Sequence, residues 1–256
     1  MDNAEAPYLL ARHVHLCVCG RYAVLMDLRR DKYLAVEPAN LLAGRVTGWP
    51  TAGRREDPRT SPQPGDAGPV SARADRGEAR ARSVLSRMLA QGMLVCDERR
   101  GRPAAPLLVA PAQRTLLEFD FDERAAAGAA RLGRFALAFM RARASLALRP
   151  MREIIRSVQA RKARMCCGAC APDAPRERSL VMSFVHLRPL FYTVRRACLL
   201  DSLTLLHFLA AYGVYPEWVF GVRTAPFDAH CWVQRGELLF NDHPDRVSQY
   251  SPILLV

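Results

Sequence analysis

The sequence predicts an α+β protein of two domains, and two observations lead to that fold class. Three short apolar segments come first, at 12–18, 21–28 and 32–36, whereas the second half of the chain opens with helical periodicity and ends in strand-like segments. Helices and strands that are segregated along a chain are typical of α+β folds. With 256 residues, of which 50% are hydrophobic, the chain is long enough to build a core in each domain.

The smaller domain is predicted over residues 1–100. The three apolar segments predict a meander of strands, Glu37–Arg45 predicts a short helix, and the proline-rich stretch 47–75 predicts a long mobile loop. A short strand is predicted at 93–96. An amphipathic helix is predicted over 78–91 by apolar residues that recur every three or four positions: Ala81, Val84, Leu85, Met88 and Leu89. Three strands followed by helices resembles a small winged-helix domain.

A polar segment with a proline, 97–111, predicts the boundary to a second domain at 112–256. In this domain we expect four helices and then three strands, the helices over 124–148, 151–161, 177–192 and 198–212 and the strands over 217–223, 229–234 and 237–242. Helices followed by an antiparallel sheet is again an α+β order.

The basic character of the chain is weak evidence for a nucleic-acid partner. The net charge is +12, but 35 of the 37 basic residues are arginine, a bias typical of GC-rich coding sequences. No apolar run reaches the roughly 18 residues that cross a bilayer, and the first residues lack the apolar core of a secretion signal. Eight irregularly spaced cysteines are typical of reduced thiols. We therefore expect a cytoplasmic protein with no nucleic-acid partner and no membrane span.

Cys198 is the strongest candidate for a catalytic nucleophile. It begins an apolar helix, and the start of a helix offers unpaired backbone N–H groups and the positive end of the dipole, both of which stabilise a thiolate. Arg195 and Arg196 precede it and act in the same direction. A free cysteine is also a common core residue, so the assignment depends on partners elsewhere in the chain.

His230 and Asp242 are the candidate partners of Cys198. His230 lies in the apolar strand 229–234, and Asp242 ends the next strand. A turn centred on Gly236 places His230 directly opposite Asp242, and such cross-strand partners have Cβ atoms only about 5 Å apart. Asp242 then holds one imidazole nitrogen while the other faces the thiol, which is the arrangement of a cysteine hydrolase. A register shift of one residue sends Asp242 to the other face of the sheet.

The C-terminal sequence, over residues 176–250, resembles the transglutaminase-like proteases that mature lasso peptides. The matching features are a cysteine at a helix start followed in order by Gly213-Val214, Val219-Phe220-Gly221-Val222-Arg223, Ala229-His230-Cys231-Trp232-Val233 and Asn241-Asp242. The sequence departs from the family at two positions. Cys231 stands where an alanine is common, and Asp201 stands where a neutral or basic residue is expected; a carboxylate there modestly opposes thiolate formation.

The resemblance implies a papain/transglutaminase-like α+β domain and a cysteine peptidase with a Cys198, His230 and Asp242 triad. It implies that the enzyme removes the leader peptide from a ribosomally synthesised lasso-peptide precursor and so frees the core N-terminus for lactam formation. The implied partners are the precursor and an ATP-dependent, asparagine-synthetase-like lactam synthetase. No cofactor is needed for the chemistry, and because the chain has no phosphate loop, any dependence on ATP acts through that synthetase.

The first 100 residues resemble the precursor-recognition domains that many of these proteases carry. In such domains the leader adds a strand beside the third strand and packs on the third helix, a form of β-augmentation. This implies that the leader-binding residues lie in the strand 32–36 and the helix 78–91, namely Tyr33, Leu34, Val36, Leu85 and Met88. The same residues are equally suited to be ordinary core positions.

Two further hypotheses stay open. A rival class is a non-catalytic, basic winged-helix regulator fused to a degenerate hydrolase fold, because the helix 78–91 carries Arg80, Arg82 and Arg87.

The cysteines at 166, 167 and 170 contain a Cys-x-x-Cys step that can start a zinc site. A structural zinc site needs four ligands, and no second pair follows at a suitable spacing, so we expect no metal.

Overall fold

The structure is a computed structural model and describes residues 8–51, 70–117, 128–165, 174–193 and 197–256. The chain divides into two compact units. The first comprises Met1–Leu107 and Thr224–Phe227, and the second comprises Leu108–Arg223 and Asp228–Val256. Helices and sheets occur in both, so the protein is a mixed α+β structure. Among the described residues, no helix is both long enough and apolar enough to cross a membrane.

The first unit contains two small antiparallel sheets and one long helix. Its elements are β1 (Leu9–Ala11), β2 (Val14–Cys19), β3 (Tyr22–Asp27), β4 (Lys32–Val36), α1 (Val70–Ala90), β5 (Leu94–Val95) and β6 (Gly101–Arg102). The strands β2, β3 and β4 form the meander that the alternating sequence predicts, and β4 is one of its edges. The second sheet has the order β5-β1-β6, so it joins strands that are far apart in sequence.

The structure differs from the sequence-based expectation in three parts of this unit. Residues 37–45 form turns instead of a helix, because Pro38 and the positive φ of Gly44 leave too few residues to nucleate one. The helix α1 begins at Val70 instead of 78, since its first turns are polar and carry no apolar periodicity. The supposed boundary segment contains β6, where a Cβ on Gly101 would lie 2.5 Å from that of Leu9, so only glycine fits.

The core of the first unit lies between the sheets and α1. Leu10, Leu25, Leu42 and Met88 are fully buried there. Each fully buried side chain of this size contributes about 1.5–3 kcal/mol relative to an exposed one, so this cluster accounts for much of the stability of a small domain. The buried face of α1 is the one that the 3–4 spacing of apolar residues predicts.

The second unit contains helices first and a mixed sheet last. Its elements are β7 (Arg114–Thr115), α2 (Ala129–Leu148), α3 (Met151–Met165), α4 (Ala174–Leu187), a 3₁₀ turn (Arg188–Leu190), α5 (Cys198–Ala210), β8 (Glu217–Thr224), β9 (Phe227–Arg235), β10 (Leu238–Leu239), α6 (Pro244–Val247) and β11 (Ser251–Leu255). The sheet order is β11-β8-β9-β10-β7. β10 is antiparallel to β9 and β11 to β8, whereas β7 runs parallel to β10 and was not predicted.

The helix α5 is the centre of the second unit. Nearly every residue from Asp201 to Leu209 is buried, because α2 and α4 pack against the helix, and Ser202 hydrogen-bonds to the Cys231 carbonyl of β9. Aromatic side chains fill the helical layer around it: the Phe135 and Phe184 rings lie 5.2 Å apart, and the Phe208 ring lies 5.9 Å from Phe184. A helix that is apolar on all sides is expected at such a central position. Its first residue, Cys198, is consequently held by a rigid element.

Candidate active site

Cys198 is the first residue of α5, as the sequence predicts, and its side chain is half-buried. The preceding residue, Ala197, provides no side-chain cap for the helix. The first N–H groups of a helix have no partner within it and form the positive end of its dipole, so a position at the start of α5 favours the thiolate of Cys198. Arg195 and Arg196, the two cations that the sequence places before Cys198, lie outside the described residues.

His230 and Asp242 form a buried pair beside this helix. The His230 side chain lies on β9, and its Nε2 is 2.5 Å from Oδ2 of Asp242, with about 5% and 7% of the two side chains exposed. The other carboxylate oxygen of Asp242 accepts a hydrogen bond from the backbone N–H of His243 at 2.9 Å. Because Asp242 occupies Nε2, the other ring nitrogen, Nδ1, is the one left for Cys198, and interaction with that side chain helps to raise the pKa of His230.

The strand register that brings these two residues together differs from the predicted one. Leu238 pairs with Arg235 and Leu239 with Gln234, one residue away from the register in which residue 234 faces 238. Continued along the strands, the observed pairing would place residue 243 opposite His230. It does not continue, because β10 ends at Leu239.

Asn241 replaces the backbone partner at the point where the pairing ends. Its Oδ1 accepts the N–H of Val233 on β9 at 2.8 Å, a bond that a continuing strand would supply from its own carbonyl groups. The chain therefore leaves the ladder, and Asp242 turns toward His230. Thr115 of β7 donates a hydrogen bond to the Asp242 carbonyl at 2.8 Å and holds the segment from the other side. The predicted contact is thus present, although the predicted register is wrong.

The surroundings of Cys198 favour an ionised thiol. The pKa of Cys198 is lowered to about 4, chiefly by a hydrogen bond with the Cys231 side chain and also by one with His230, against the opposing effect of burial. Burial alone lowers the pKa of His230, but the hydrogen bonds to Asp242 and Cys198 outweigh it and raise that pKa to about 9. Between these two values the pair exists as thiolate and imidazolium, the reactive form of a cysteine nucleophile.

Cys231 is a functional neighbour that the sequence reasoning did not assign. Hydrogen bonding from its side chain and its backbone N–H lowers the pKa of Cys198, and its sulfur lies 3.9 Å from Oγ of Ser202. Burial, followed by the neighbouring Cys198, raises the pKa of Cys231 well above its ordinary value. Cys231 therefore remains a protonated donor while Cys198 ionises. The departure from the alanine that is common in the resembling family was the signal that could have identified it.

Asp201 lies one turn into α5, and its carboxylate would oppose a thiolate if it were unpaired. It is only 2% exposed, and it is surrounded by donors. Arg188 donates to its Oδ1 at 3.3 Å, the Tyr192 hydroxyl donates to the same oxygen at 3.0 Å, and the Asn241 amide donates to its Oδ2 at 2.9 Å. The ion pair with Arg188 neutralises the charge, so the predicted penalty on the Cys198 thiolate is offset within the same site.

A cavity of about 520 Å³ opens on these residues and is large enough for peptide side chains. Its lining includes Cys198, His230, Asp242, Asp228 and Arg246. Among the described residues, no group of three or more His, Cys, Asp or Glu side chains is arranged to hold a metal ion. The cysteines at 166, 167 and 170 lie outside the part of the chain that the structure describes.

The five predicted leader-binding residues divide into three groups. Tyr33 and Leu34 line a cavity of about 300 Å³ in the first unit, at the edge strand β4. Leu85 is half-buried and packs against the core of this unit. Val36 and Met88 are 2% and 0% exposed, so they are core residues and do not present their side chains to a ligand. Their interpretation as groove residues is corrected: an amphipathic pattern cannot distinguish the buried stripe of a helix from a groove wall.

Comparison with known proteins assigns the second unit to a protein superfamily. A sequence model of the Transglutaminase-like superfamily matches residues 128–255, half of the chain, and the match includes Cys198, His230 and Asp242. No curated protein matches the sequence, and no solved structure matches the fold. A helix that begins at a cysteine and packs on a sheet carrying a His–Asp pair agrees with this match. The chain therefore belongs to the transglutaminase-like superfamily.

Proposed function

We propose that this protein is a cysteine protease that removes the leader peptide from a ribosomally synthesised lasso-peptide precursor. The observation that carries the proposal is the arrangement of Cys198, His230 and Asp242 in one open cavity, with the thiol on a helix N-terminus. Membership of the transglutaminase-like superfamily supports a cysteine peptidase. The motif order of the C-terminal sequence, which resembles that of lasso-peptide proteases, supports the choice of substrate.

In the proposed mechanism the Cys198 thiolate attacks the carbonyl carbon at the junction of leader and core. The developing oxyanion accepts a hydrogen bond from the backbone N–H of Cys198 at the start of α5. The His230 imidazolium gives its proton to the leaving amine of the core as the C–N bond breaks, which leaves a thioester on Cys198. The neutral imidazole then takes a proton from water, the hydroxide displaces the sulfur, and the leader carboxylate leaves.

Asp242 orients His230 throughout this cycle. Its carboxylate holds Nε2 at 2.5 Å, which leaves Nδ1 toward the sulfur and stabilises the imidazolium. The buried surroundings make this orientation rigid, since both side chains are almost completely covered. The ring of Tyr250, whose centroid is 5.1 Å from that of His230, covers one face of the imidazole. Each of these contacts limits rotation of the ring between the two proton transfers.

We assign leader recognition to the first unit. The strand β4 is an edge of its sheet, and a sheet edge is where an extended peptide adds a strand. Tyr33 and Leu34 stand on this strand and line the adjoining cavity, together with Gln91 and Met93 from the end of α1 and the segment after it. A leader that adds a strand to β4 would place alternate side chains in this cavity.

The freed core then carries an α-amine, which is the nucleophile for lactam formation by an ATP-dependent, asparagine-synthetase-like partner. The protease step itself needs no cofactor, because the thiolate, the imidazolium and water supply every group that reacts. Any dependence of cleavage on ATP would therefore act through the synthetase.

The test uses the full-length protein and a lasso-peptide precursor, for which a short open reading frame beside the gene would be the first candidate. We expect mass spectrometry to show one cleavage, giving an intact leader and an intact core. Cys198→Ala should bind the precursor with the same Kd by calorimetry and leave it uncleaved. Exposed Arg152→Gln on α3 serves as a control that should cleave normally.

Three results would contradict the proposal. Cleavage by Cys198→Ala at the wild-type rate would show that Cys198 is not the nucleophile. Failure of the wild-type protein to bind or cleave the precursor, with and without the synthetase and ATP, would show that the precursor is not its substrate. Salt-sensitive binding to duplex DNA in place of the precursor would favour the non-catalytic regulator.

A further inference from the structure

We propose that Arg246 binds a carboxylate next to Cys198, so that the enzyme prefers a substrate with an acidic residue near the scissile bond. Arg246 lies on α6 and lines the same cavity as Cys198 and His230. That the carboxylate belongs to a peptide substrate rests on the proposed protease function. The binding of an anionic group beside the thiol does not depend on that function.

The carboxylates of the cavity are already engaged by other groups. Asp201 and Asp242 receive the hydrogen bonds described above. Asp228, at the rim, accepts a hydrogen bond from the Tyr250 hydroxyl at 2.7 Å and forms an ion pair with Arg223 at 3.2 Å. Each acidic side chain that lines the cavity therefore has a cationic or hydrogen-bonding partner of its own within the described residues.

Arg246 is the cation of the cavity without such a partner. Its side chain is exposed, and it makes no ion pair or side-chain hydrogen bond with any residue that the structure describes. Its charge acts on the Tyr250 hydroxyl, and the Tyr250 ring in turn lies 5.1 Å from the ring of His230. The guanidinium thus belongs to the cavity that also holds Cys198 and His230.

An arginine in this setting is suited to a carboxylate that arrives with the substrate. A guanidinium presents its N–H donors in a planar fork that matches two carboxylate oxygens, and such charge-assisted bonds are stronger than neutral ones. The cavity offers Arg246 no internal competitor, because Asp228 is already bound by Arg223. A peptide with Asp or Glu near the cleaved bond would supply the missing partner. A lysine or arginine in that place would be repelled.

The first experiment measures anion binding without any peptide. Iodoacetate and iodoacetamide alkylate the same sulfur, but only iodoacetate carries a carboxylate. Alkylation of Cys198 is followed by peptide mapping, which separates it from the other thiols, and the ratio of the two rate constants is compared between variants. In Arg246→Gln we expect this ratio to fall about three- to fivefold, the effect of one partly exposed charge pair. Arg246→Lys should retain most of the ratio.

Ionic strength and a matched arginine provide the controls. Added salt should lower the ratio in the wild type and have a smaller effect in Arg246→Gln, because the remaining attraction comes from the more buried His230. Arg152→Gln removes the same charge from an exposed position on α3 that does not line the cavity. An unchanged ratio in Arg246→Gln, or an equal fall in Arg152→Gln, would overturn the proposal.

A second experiment identifies the acidic residue of the substrate that contacts Arg246. Each acidic residue of the precursor near the junction is changed to its amide, and kcat and KM are measured with wild type and Arg246→Gln. We expect one such change to raise KM several-fold in the wild type and to have no effect in Arg246→Gln. Equal effects in both enzymes would refute a contact with Arg246. If the precursor is not cleaved at all, the protease proposal fails, while the alkylation ratio still decides whether Arg246 binds an anion.

Discussion

Asn241 and Asp201 are joined by a hydrogen bond of 2.9 Å, which ties the segment that carries Asp242 to the helix that carries Cys198. The same amide accepts the N–H of Val233 on β9 through its oxygen and donates to Ser202 on α5 through its nitrogen. One side chain therefore connects the three elements of the candidate active site. The separation between nucleophile and orienting acid depends on this connection as well as on the helix and the sheet themselves.

Replacement of Cys198 by alanine should abolish cleavage and leave the fold intact. The side chain is half-buried at a helix start, so loss of its sulfur creates little cavity, whereas the reaction loses its nucleophile. We expect the single-turnover rate with saturating precursor to fall by at least about 10³-fold, while the Tm changes by no more than a few degrees. A large fall in Tm would mean that the loss of activity is structural.

Asp242→Asn should reduce the rate less than His230→Ala. The acid orients the imidazole and stabilises its charge, but it transfers no proton. Without the carboxylate, the pKa of His230 should fall, because the hydrogen bond and charge that raise it are weakened. The measurement is the pH profile of single-turnover cleavage, whose alkaline limb should move to lower pH in Asp242→Asn. A fully active variant with an unchanged profile would mean that Asp242 does not act on His230.

Alkylation of Cys198 should depend on pH in the manner of an ion pair. As pH rises through about 4, the thiol loses its proton and the rate of alkylation rises; as pH rises through about 9, the imidazolium loses its proton and cleavage declines. Cys17 is a useful internal control, because burial raises the pKa of its thiol to about 12. Peptide mapping after a brief iodoacetamide pulse at pH 6 should find Cys198 labelled first. Preferential labelling at 166, 167 or 170 would argue against an activated Cys198.

Cys231 should contribute to the low pKa of the nucleophile through its S–H donor. In Cys231→Ala the donor is lost, and the pKa of Cys198 should rise, so that the acidic limb of the alkylation profile moves to higher pH. Cys231→Ser keeps a donor of similar size at the same place and should preserve more of the wild-type profile. Equal profiles for the alanine and serine variants would show that the donor has no influence on Cys198.

Arg188 should protect the thiolate from the charge of Asp201. Arg188→Met leaves a buried carboxylate without its cation, and breaking a buried pair in this way costs about 3–5 kcal/mol of stability. We expect a lower free energy of unfolding and a higher pKa of Cys198. The double variant with Asp201→Asn removes the charge itself and should restore the Cys198 profile toward the wild type. Failure of the second substitution to restore it would mean that the effect of Arg188→Met is purely structural.

Patterns that depend on neighbours along the chain predicted the elements of the site. The mostly apolar segment after Cys198 predicts a buried helix that starts at the cysteine, and the apolar neighbours of His230 predict a strand. The spacing of the amphipathic residues in α1 predicts its buried face. These features depend on the periodicity of helices and strands, which is a local property of the backbone. The order of Cys198, His230 and Asp242 along the chain was sufficient to identify the family resemblance.

Only the tertiary structure decided how these elements meet. The register of β9 and β10 is set by where β10 ends and by the side chain of Asn241, and a period of two cannot distinguish registers that differ by one residue. The neutralisation of Asp201 requires Arg188, which reaches it from a different element. The donation from Cys231 to Cys198 joins a strand to a helix. The sequence by itself determined which chemical groups the site contains. The distances between elements arise only when distant segments pack together. The pKa values of Cys198 and His230, and the placement of Arg246 in the same cavity, depend on those distances.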